Sequence, residues 1–186
     1  MIKQKTLKGY IFFSLIFSTN LLFAKNVDVH DFDISGIKLG MTKQESIKIL
    51  ISKYDVSKKD LINKFSPQII AYRKTPIEIV VSFDRESMEA EVITYKLPWS
   101  KENKTSMKAM AIKKYGEPTV DKSQLAGEVS WCLKPKKQMM NMGYSCTMSN
   151  SAYLGLSSTE IRLYEPKYKQ ERLQKMKEKN NIIPSF

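Results

Sequence analysis

Few residues of this chain carry side chains suited to acid–base or nucleophilic chemistry. His30 is the single histidine among 186 residues, so a Ser-His-Asp or Cys-His arrangement has only one possible base. It lies in the polar stretch DVHDFD, which we expect to be a loose lead-in to the folded part. A carboxylate pair such as Asp84 and Glu86 could support glycosidase-like hydrolysis, but their charged segment DRESMEA is typical of a hairpin turn. We therefore predict that the protein is not an enzyme.

The stretch DVHDFD also brings together ligands that a divalent cation could use. Asp28, His30, Asp31 and Asp33 combine carboxylate oxygens with one imidazole. A calcium loop of the EF-hand type needs a turn glycine at a fixed spacing, and none follows here. A polar lead-in is the favoured interpretation, and we predict neither a metal site nor a cofactor.

The N-terminus has the layout of a secretory signal. Three lysines precede an apolar run that ends at the small residue Ala24. The run is interrupted by polar residues and is shorter than the roughly 20 apolar residues that a membrane span needs, so a retained anchor is the weaker interpretation. We predict a signal peptide over residues 1–24, cleaved near Ala24, and a periplasmic or secreted mature protein.

Cys132 and Cys146 are the only cysteines of the chain. An even pair in an exported protein predicts one disulfide bond, and free thiols are the alternative. Two thiols without a nearby histidine or further cysteine cannot complete a tetrahedral zinc shell. Because both cysteines follow residue 130, we do not expect a lipid-modified cysteine at a new N-terminus.

The chain is strongly basic, with 31 Lys and Arg against 19 Asp and Glu. Loss of the three signal lysines lowers the formal net charge from +12 to +9. Such a surface favours anionic partners, namely an anionic lipid, a cell-wall polymer or an acidic protein, although solubility alone also explains it. We do not expect nucleic acid as a partner, because an exported protein meets little of it and no recognition motif is present.

The stretch FDISGIKLGMTKQESIKIL opens the predicted folded part. Gly36 and Gly40 allow the tight turns that precede a helix. The spacing of Thr42 and Glu45 predicts a capping box, and the apolar residues that follow recur at helical spacing as far as Tyr54. The sequence therefore predicts a well-marked amphipathic helix.

Strands and further helices follow in an order that suggests the fold class. After a short helix near Ser57, the segments QIIAYRK, IEIVVSF and EVITYKL predict three strands. A second helix precedes Gly116, and EVSWCLK, YSCTMSN, AYLGLSS and EIRLYE predict further short strands. We predict an α+β fold in which helices pack on one face of an antiparallel sheet, and we expect both Trp99 and Trp131 in its core.

These elements predict one main domain with an extension. The domain covers residues 25–165, and its helix-plus-strands order suggests two halves, 33–98 and 100–165. A basic C-terminal helix and tail occupy residues 166–186.

The opening stretch resembles the small exported bacterial proteins of the BamE (SmpA/OmlA) and β-lactamase inhibitor protein superfamily. The resemblance rests on the pattern G-[IL]-x-L-G-M-[ST]-x-x-E, which here comprises Gly36, Ile37, Leu39, Gly40, Met41, Thr42 and Glu45. In that superfamily a helical layer packs on an antiparallel sheet, and the members bind other envelope proteins rather than catalyse reactions. The resemblance implies an envelope protein of unknown identity as the partner. The lipid-bearing cysteine of the assembly lipoproteins is absent, so a membrane tether is not implied.

Two basic segments are candidate contact surfaces. The loop KPKKQMMNMGY combines Lys136 and Lys137 with the flexible apolar side chains of Met139, Met140 and Met142. The C-terminal segment 167–179 holds six basic and two acidic residues, enough to favour an anionic lipid surface or an acidic partner. The alternative is a solvated helix face together with a hairpin whose methionines fold inward.

Overall fold

The computed structural model describes residues 28–62, 66–124, 127–138 and 143–180. The predicted signal peptide, residues 1–24, lies outside the described residues, and so do Met139, Met140 and Met142. The helices are a 3-10 turn Val29–Asp31, α1 Lys43–Tyr54, α2 Lys58–Leu61, α3 Lys101–Tyr115 and α4 Lys167–Asn180. The strands are β1 Ile69–Lys74, β2 Ile77–Phe83, β3 Ala90–Lys96, β4 Val120–Lys122, β5 Glu128–Cys132, β6 Lys136–Lys137, β7 Tyr144–Ser145, β8 Tyr153–Ser157 and β9 Glu160–Tyr164.

Seven strands form one antiparallel sheet in the order β1-β2-β3-β9-β8-β5-β4. The predicted halves meet at its centre, where β3 pairs with β9 and Ile93 lies opposite Leu163. Strands β6 and β7 form a separate two-stranded ribbon. The predicted α+β class is confirmed, and both helix-plus-strands units contribute to one sheet.

Alternation along each strand sends one set of side chains into the core. Ile79, Ile93, Leu154 and Leu163 are fully buried there, while their sequence neighbours point to the opposite face. Apolar side chains of α1, α2 and α3 join the same core cluster, which also contains Trp131. These three helices therefore cover one face of the sheet, called here the helical face, and the other is the open face.

The motif that carries the resemblance builds the start of α1. Gly36 and Gly40 have φ angles of +90° and +79°, which residues with a side chain rarely adopt. Thr42 and Glu45 form both hydrogen bonds of the predicted capping box. Gly40 N–H donates to the carbonyl of Ala90 at 3.0 Å, which joins the turn to the start of β3. These residues have a structural role.

The same motif also contributes apolar contacts. Leu39 belongs to the buried core cluster, and the partly buried side chain of Met41 packs against it. The carbonyl of Met41 also accepts the N–H of Ala90 at 2.8 Å. The motif therefore supplies core contacts in addition to the turn geometry.

The prediction for Trp99 was wrong. Trp131 is fully buried and donates to the carbonyl of Gly116 at 2.9 Å, but Trp99 is 76% exposed. Trp99 stands in the connection between β3 and α3, outside the alternation that aims strand residues inward, and Pro98 precedes it. An aromatic residue type alone does not decide burial at such a position.

Candidate binding surface

The open face of the sheet is the part of the fold that no helix of the α1–α3 layer covers. It presents Val92 from β3, Tyr153 from β8, and Arg162 and Tyr164 from β9. The rings of Tyr153 and Tyr164 lie side by side, with centroids 5.4 Å apart. Arg162 forms an ion pair with Glu160 at 2.7 Å. Aromatic and charged side chains thus occupy positions that a buried sheet would fill with aliphatic ones.

Helix α4 lies against the β2–β3 hairpin and borders this open face. Tyr168, Arg172 and Lys175 follow one another at helical spacing and point toward the hairpin. Tyr168 is buried, and its hydroxyl donates to Glu89 at 2.5 Å. Lys175 pairs with Glu86. The helix is therefore held mainly by polar contacts, whereas Leu173 and Met176 remain exposed.

Arg172 makes the central contact of this helix. It donates to Asp84 at 2.5 Å and to Glu91 at 2.9 Å. Asp84 is buried, yet it also accepts the N–H groups of Glu86 and Ser87 at 3.0 and 2.9 Å. Burial alone would raise the pKa of Asp84, but these hydrogen bonds outweigh it and lower the pKa to about 2. Asp84 is thus an ionised structural carboxylate.

A groove of about 470 Å³ separates α4 from the open face and from the loop after the disulfide; we call it the α4 groove. The sheet contributes Val92, Tyr153, Arg162 and Tyr164, α4 with its entry contributes Pro166, Lys169, Gln170 and Leu173, and the loop contributes Thr147, Met148, Ser149 and Asn150. None of these lining residues is acidic. Met148 is 53% exposed and Leu173 47%, so apolar surface is accessible beside two cations.

The predicted disulfide is present between Cys132 and Cys146, with Cα atoms 5.7 Å apart. It closes the segment 133–145, which we call the stapled hairpin. Lys136 and Lys137, both predicted contact residues, form strand β6 and are exposed. The other predicted contact residues, Met139, Met140 and Met142, lie outside the described residues. The lysines are therefore placed on an accessible ribbon.

The stapled hairpin adjoins the α4 groove. The amide nitrogen of Gln138 lies 3.7 Å from Sδ of Met148, which lines the groove. The loop residues Thr147 to Asn150 begin directly after Cys146, so the disulfide fixes the base of both features. The hairpin and the groove form one continuous surface.

The lead-in DVHDFD is anchored, contrary to expectation. Val29 is buried, and His30 lies between two carboxylates, with Nδ1 2.8 Å from Asp28 and Nε2 2.6 Å from Glu165. Burial lowers the pKa of His30, but the hydrogen bonds to Glu165 and Asp28 outweigh it, and the net shift is upward. Asp33 instead pairs with Lys114 at 2.8 Å. Asp28 thus contacts His30 while Asp33 pairs with a lysine of α3, so these two carboxylates do not converge on one ion site.

In the part of the chain that the structure describes, no group of three His, Cys, Asp or Glu side chains is arranged so that it could hold a metal ion. The described ranges likewise contain no helix long and apolar enough to cross a membrane.

Sequence reasoning missed most of the groove. Tyr153, Arg162 and Tyr164 were recognisable only as strand residues, and Lys169 and Leu173 only as parts of a basic helix. The one available signal was the alternation in EIRLYE, which places Arg162 on the face opposite Ile161 and Leu163.

No protein-family model, no curated protein and no solved structure matches the chain.

Proposed function

We propose that this chain is an exported, non-enzymatic binding protein of the bacterial envelope that recognises an acidic segment of a partner protein in the α4 groove. The single observation that carries the proposal is the lining of the groove. It combines a tyrosine pair, Arg162 and Lys169 with the exposed side chains of Met148 and Leu173. Tyrosine and arginine dominate the energetics of protein interfaces, and methionine adapts to irregular partner surfaces.

The resemblance of the opening stretch to the BamE and inhibitor superfamily supports the same class of function. Export is inferred from the lysines and apolar run that end at Ala24. A disulfide between Cys132 and Cys146 is compatible with an oxidising compartment such as the periplasm.

Site-specific photo-crosslinking from the groove tests the proposal. A photoreactive amino acid replaces Leu173, and a matched control places it at Met110, which is 54% exposed on α3. Irradiation of the native envelope fraction should give a discrete protein adduct from position 173 and none from position 110. The adduct should persist at high salt, because apolar contacts add to the charge attraction.

Reversal of one groove charge then tests the acidic character of the partner. Arg162→Glu should abolish the adduct at position 173, because the substituted groove repels an acidic segment. Equal adducts at positions 173 and 110, or an adduct unaffected by Arg162→Glu, would contradict the proposed site.

One observation favours a second function, the charge-driven binding of anionic lipid or cell-wall polymer. No acidic residue occurs between Val129 and Thr159, and the stapled hairpin presents Lys134, Lys136 and Lys137. Leu133 and Tyr144 are exposed beside them. A basic surface with apolar neighbours is suited to an anionic interface.

Vesicle sedimentation separates this function from protein binding. Wild type should sediment with phosphatidylglycerol vesicles at low salt and be released at high salt. The double variant Lys136→Glu with Lys137→Glu should lose binding, while Lys48→Glu with Lys53→Glu on α1, an equal change of charge, should retain it. Equal loss in both variants would show attraction by net charge rather than a hairpin site.

A further inference from the structure

A second pocket lies on the helical face of the sheet, between α3 and strands β5 and β8. Its volume is about 360 Å³. Val129 and Leu156 contribute to it from the core side of their strands, whereas Tyr153 and Arg162 of the α4 groove point to the open face. The pocket is therefore separate from the proposed protein-binding groove.

The interior of this pocket is apolar. Its surface is formed by Ala109 and Ile112 of α3 together with Val129 and Leu156 of the sheet. Val129 and Leu156 are 2% and 3% exposed, so they reach the pocket from the hydrophobic core. Ala109 is exposed and has a small side chain, which leaves the space beside it open. An alkyl chain placed there would be removed from water over most of its length.

The mouth of the pocket is cationic. The side chain of Lys104 lies over Gly127, and a Cβ atom at that position would come within 3.2 Å of its Nζ atom. Lys108 donates to Asp121 at 3.2 Å and to Ser123 at 2.9 Å. Lys104 and Lys108 both line the pocket. Within the described residues Lys108 is paired with Asp121, whereas Lys104 forms no ion pair.

Thr105 and Ser158 also line the pocket, and no lining residue is acidic. The hydroxyl of Thr105 donates to the carbonyl of Lys101 at 3.0 Å. Lys101 precedes Lys104 by one turn of α3 on the same side. A negative charge at the mouth would thus meet the ammonium group of Lys104 and no carboxylate among the lining residues. A neutral head group would leave the positive charge of Lys104 without a negatively charged partner.

We propose that this pocket binds a single-chain anionic amphiphile, with the alkyl chain against Ala109, Ile112, Val129 and Leu156 and the anionic head group at Lys104. The volume lies at the lower end of the range typical of small-molecule sites, which suits one acyl chain. The chemistry shared by a fatty acid and a lysophospholipid is the anionic head on one chain. Dodecanoate is the probe that represents it.

Titration calorimetry of the oxidised mature protein with dodecanoate, below its micelle concentration, tests the site. We expect saturable binding of one molecule, and much weaker binding of dodecanol, which lacks the charge. Lys104→Glu should weaken dodecanoate binding by about tenfold or more, as expected for the loss of a charge-assisted hydrogen bond and the gain of repulsion. The matched control Lys113→Glu, half a turn around α3 from Lys104 and not among the lining residues, should bind as wild type does.

A second pair of variants tests the apolar part without changing charge. Ala109→Trp places a ring in the pocket from an exposed position, so it should abolish binding while the fold is retained. Met110→Trp on the far side of the same helix should have no effect. Absence of saturable binding, equal weakening by Lys104→Glu and Lys113→Glu, or binding unchanged in Ala109→Trp would overturn the proposal. Because none of these residues lines the α4 groove, the result is independent of the crosslinking from Leu173.

Discussion

The Nε2 atom of His30 lies 2.6 Å from Oε2 of Glu165, a carboxylate 135 positions later in the chain. Glu165 is 4% exposed, and its other oxygen accepts the N–H of Lys167 at 3.0 Å. Both carboxyl oxygens of buried Glu165 thus have a hydrogen-bond partner where β9 leads into α4, and Asp28 contacts the imidazole from its other side. The contact therefore links the 3-10 turn at the start of the described chain to the residue that leads into α4.

This contact predicts a pH-dependent stability. The pKa of His30 is raised in the folded state, so protonation favours folding. The contribution is complete below the unfolded pKa of about 6.5 and disappears as the pH rises through the higher folded value. Urea unfolding of wild type should therefore show a component of the unfolding free energy that is complete below about pH 6.5 and decreases at higher pH.

The variant His30→Gln lacks a titrating ring and provides the comparison. Its unfolding free energy should lie below that of wild type below about pH 6.5, and the difference should narrow as the pH rises above that value. Curves that stay parallel across the whole range would show that His30 does not supply the pH dependence.

Local sequence patterns predicted the elements well because each depends on neighbours in the chain. The capping box of Thr42 and Glu45 and the alternation around Ile79 and Ile93 needed no knowledge of distant residues. Long-range polar pairs do not leave such a pattern. His30 with Glu165, and Arg172 with Asp84, join residues 135 and 88 positions apart, so the anchored lead-in and the position of α4 became visible only in the structure.

Two glycines of the opening motif allow a controlled test of its structural role. Gly36 and Gly40 both have positive φ, so alanine at either position should cost roughly 1–2 kcal/mol of unfolding free energy. A Cβ atom at Gly36 would also lie 3.3 Å from Cγ2 of Ile49, whereas one at Gly40 would meet nothing within 4 Å. Gly36→Ala should therefore be the more destabilising in urea denaturation. Equal costs at the two positions, or the reverse order, would show that the contact with Ile49 adds nothing to the backbone strain.

The disulfide between Cys132 and Cys146 should contribute substantially to thermal stability. Closing a loop of this length lowers the entropy of the unfolded chain and is worth about 3 kcal/mol. The double variant Cys132→Ser with Cys146→Ser should melt roughly 6–12 °C below oxidised wild type in scanning calorimetry. Reductant should lower the wild-type melting temperature toward that of the variant and leave the variant unchanged. Equal melting temperatures under oxidising conditions would show that the bond adds no stability.

The ion pair between Arg172 and Asp84 predicts which contacts keep α4 on the β2–β3 hairpin. Apart from buried Tyr168, the described contacts of the helix with the β2–β3 hairpin are charged, so their loss should expose α4 rather than unfold the core. Arg172→Ala should accelerate hydrogen exchange over residues 168–176 and leave α3 protected. Lys177→Ala, which removes an exposed charge of the same helix, is the matched control.

Asp84 supplies the complementary test of the same contact. Asp84→Asn should destabilise the protein by about 1–3 kcal/mol at neutral pH, because the variant leaves Arg172 and the turn N–H groups without an ionised acceptor. The folded pKa is lowered to about 2, so the wild-type advantage is present above about pH 4 and disappears as the pH falls toward 2. Exchange in α4 should therefore increase in Asp84→Asn at neutral pH. Unchanged exchange in both Asp84→Asn and Arg172→Ala would mean that Tyr168 alone holds the helix, and the α4 groove would then persist without these ion pairs.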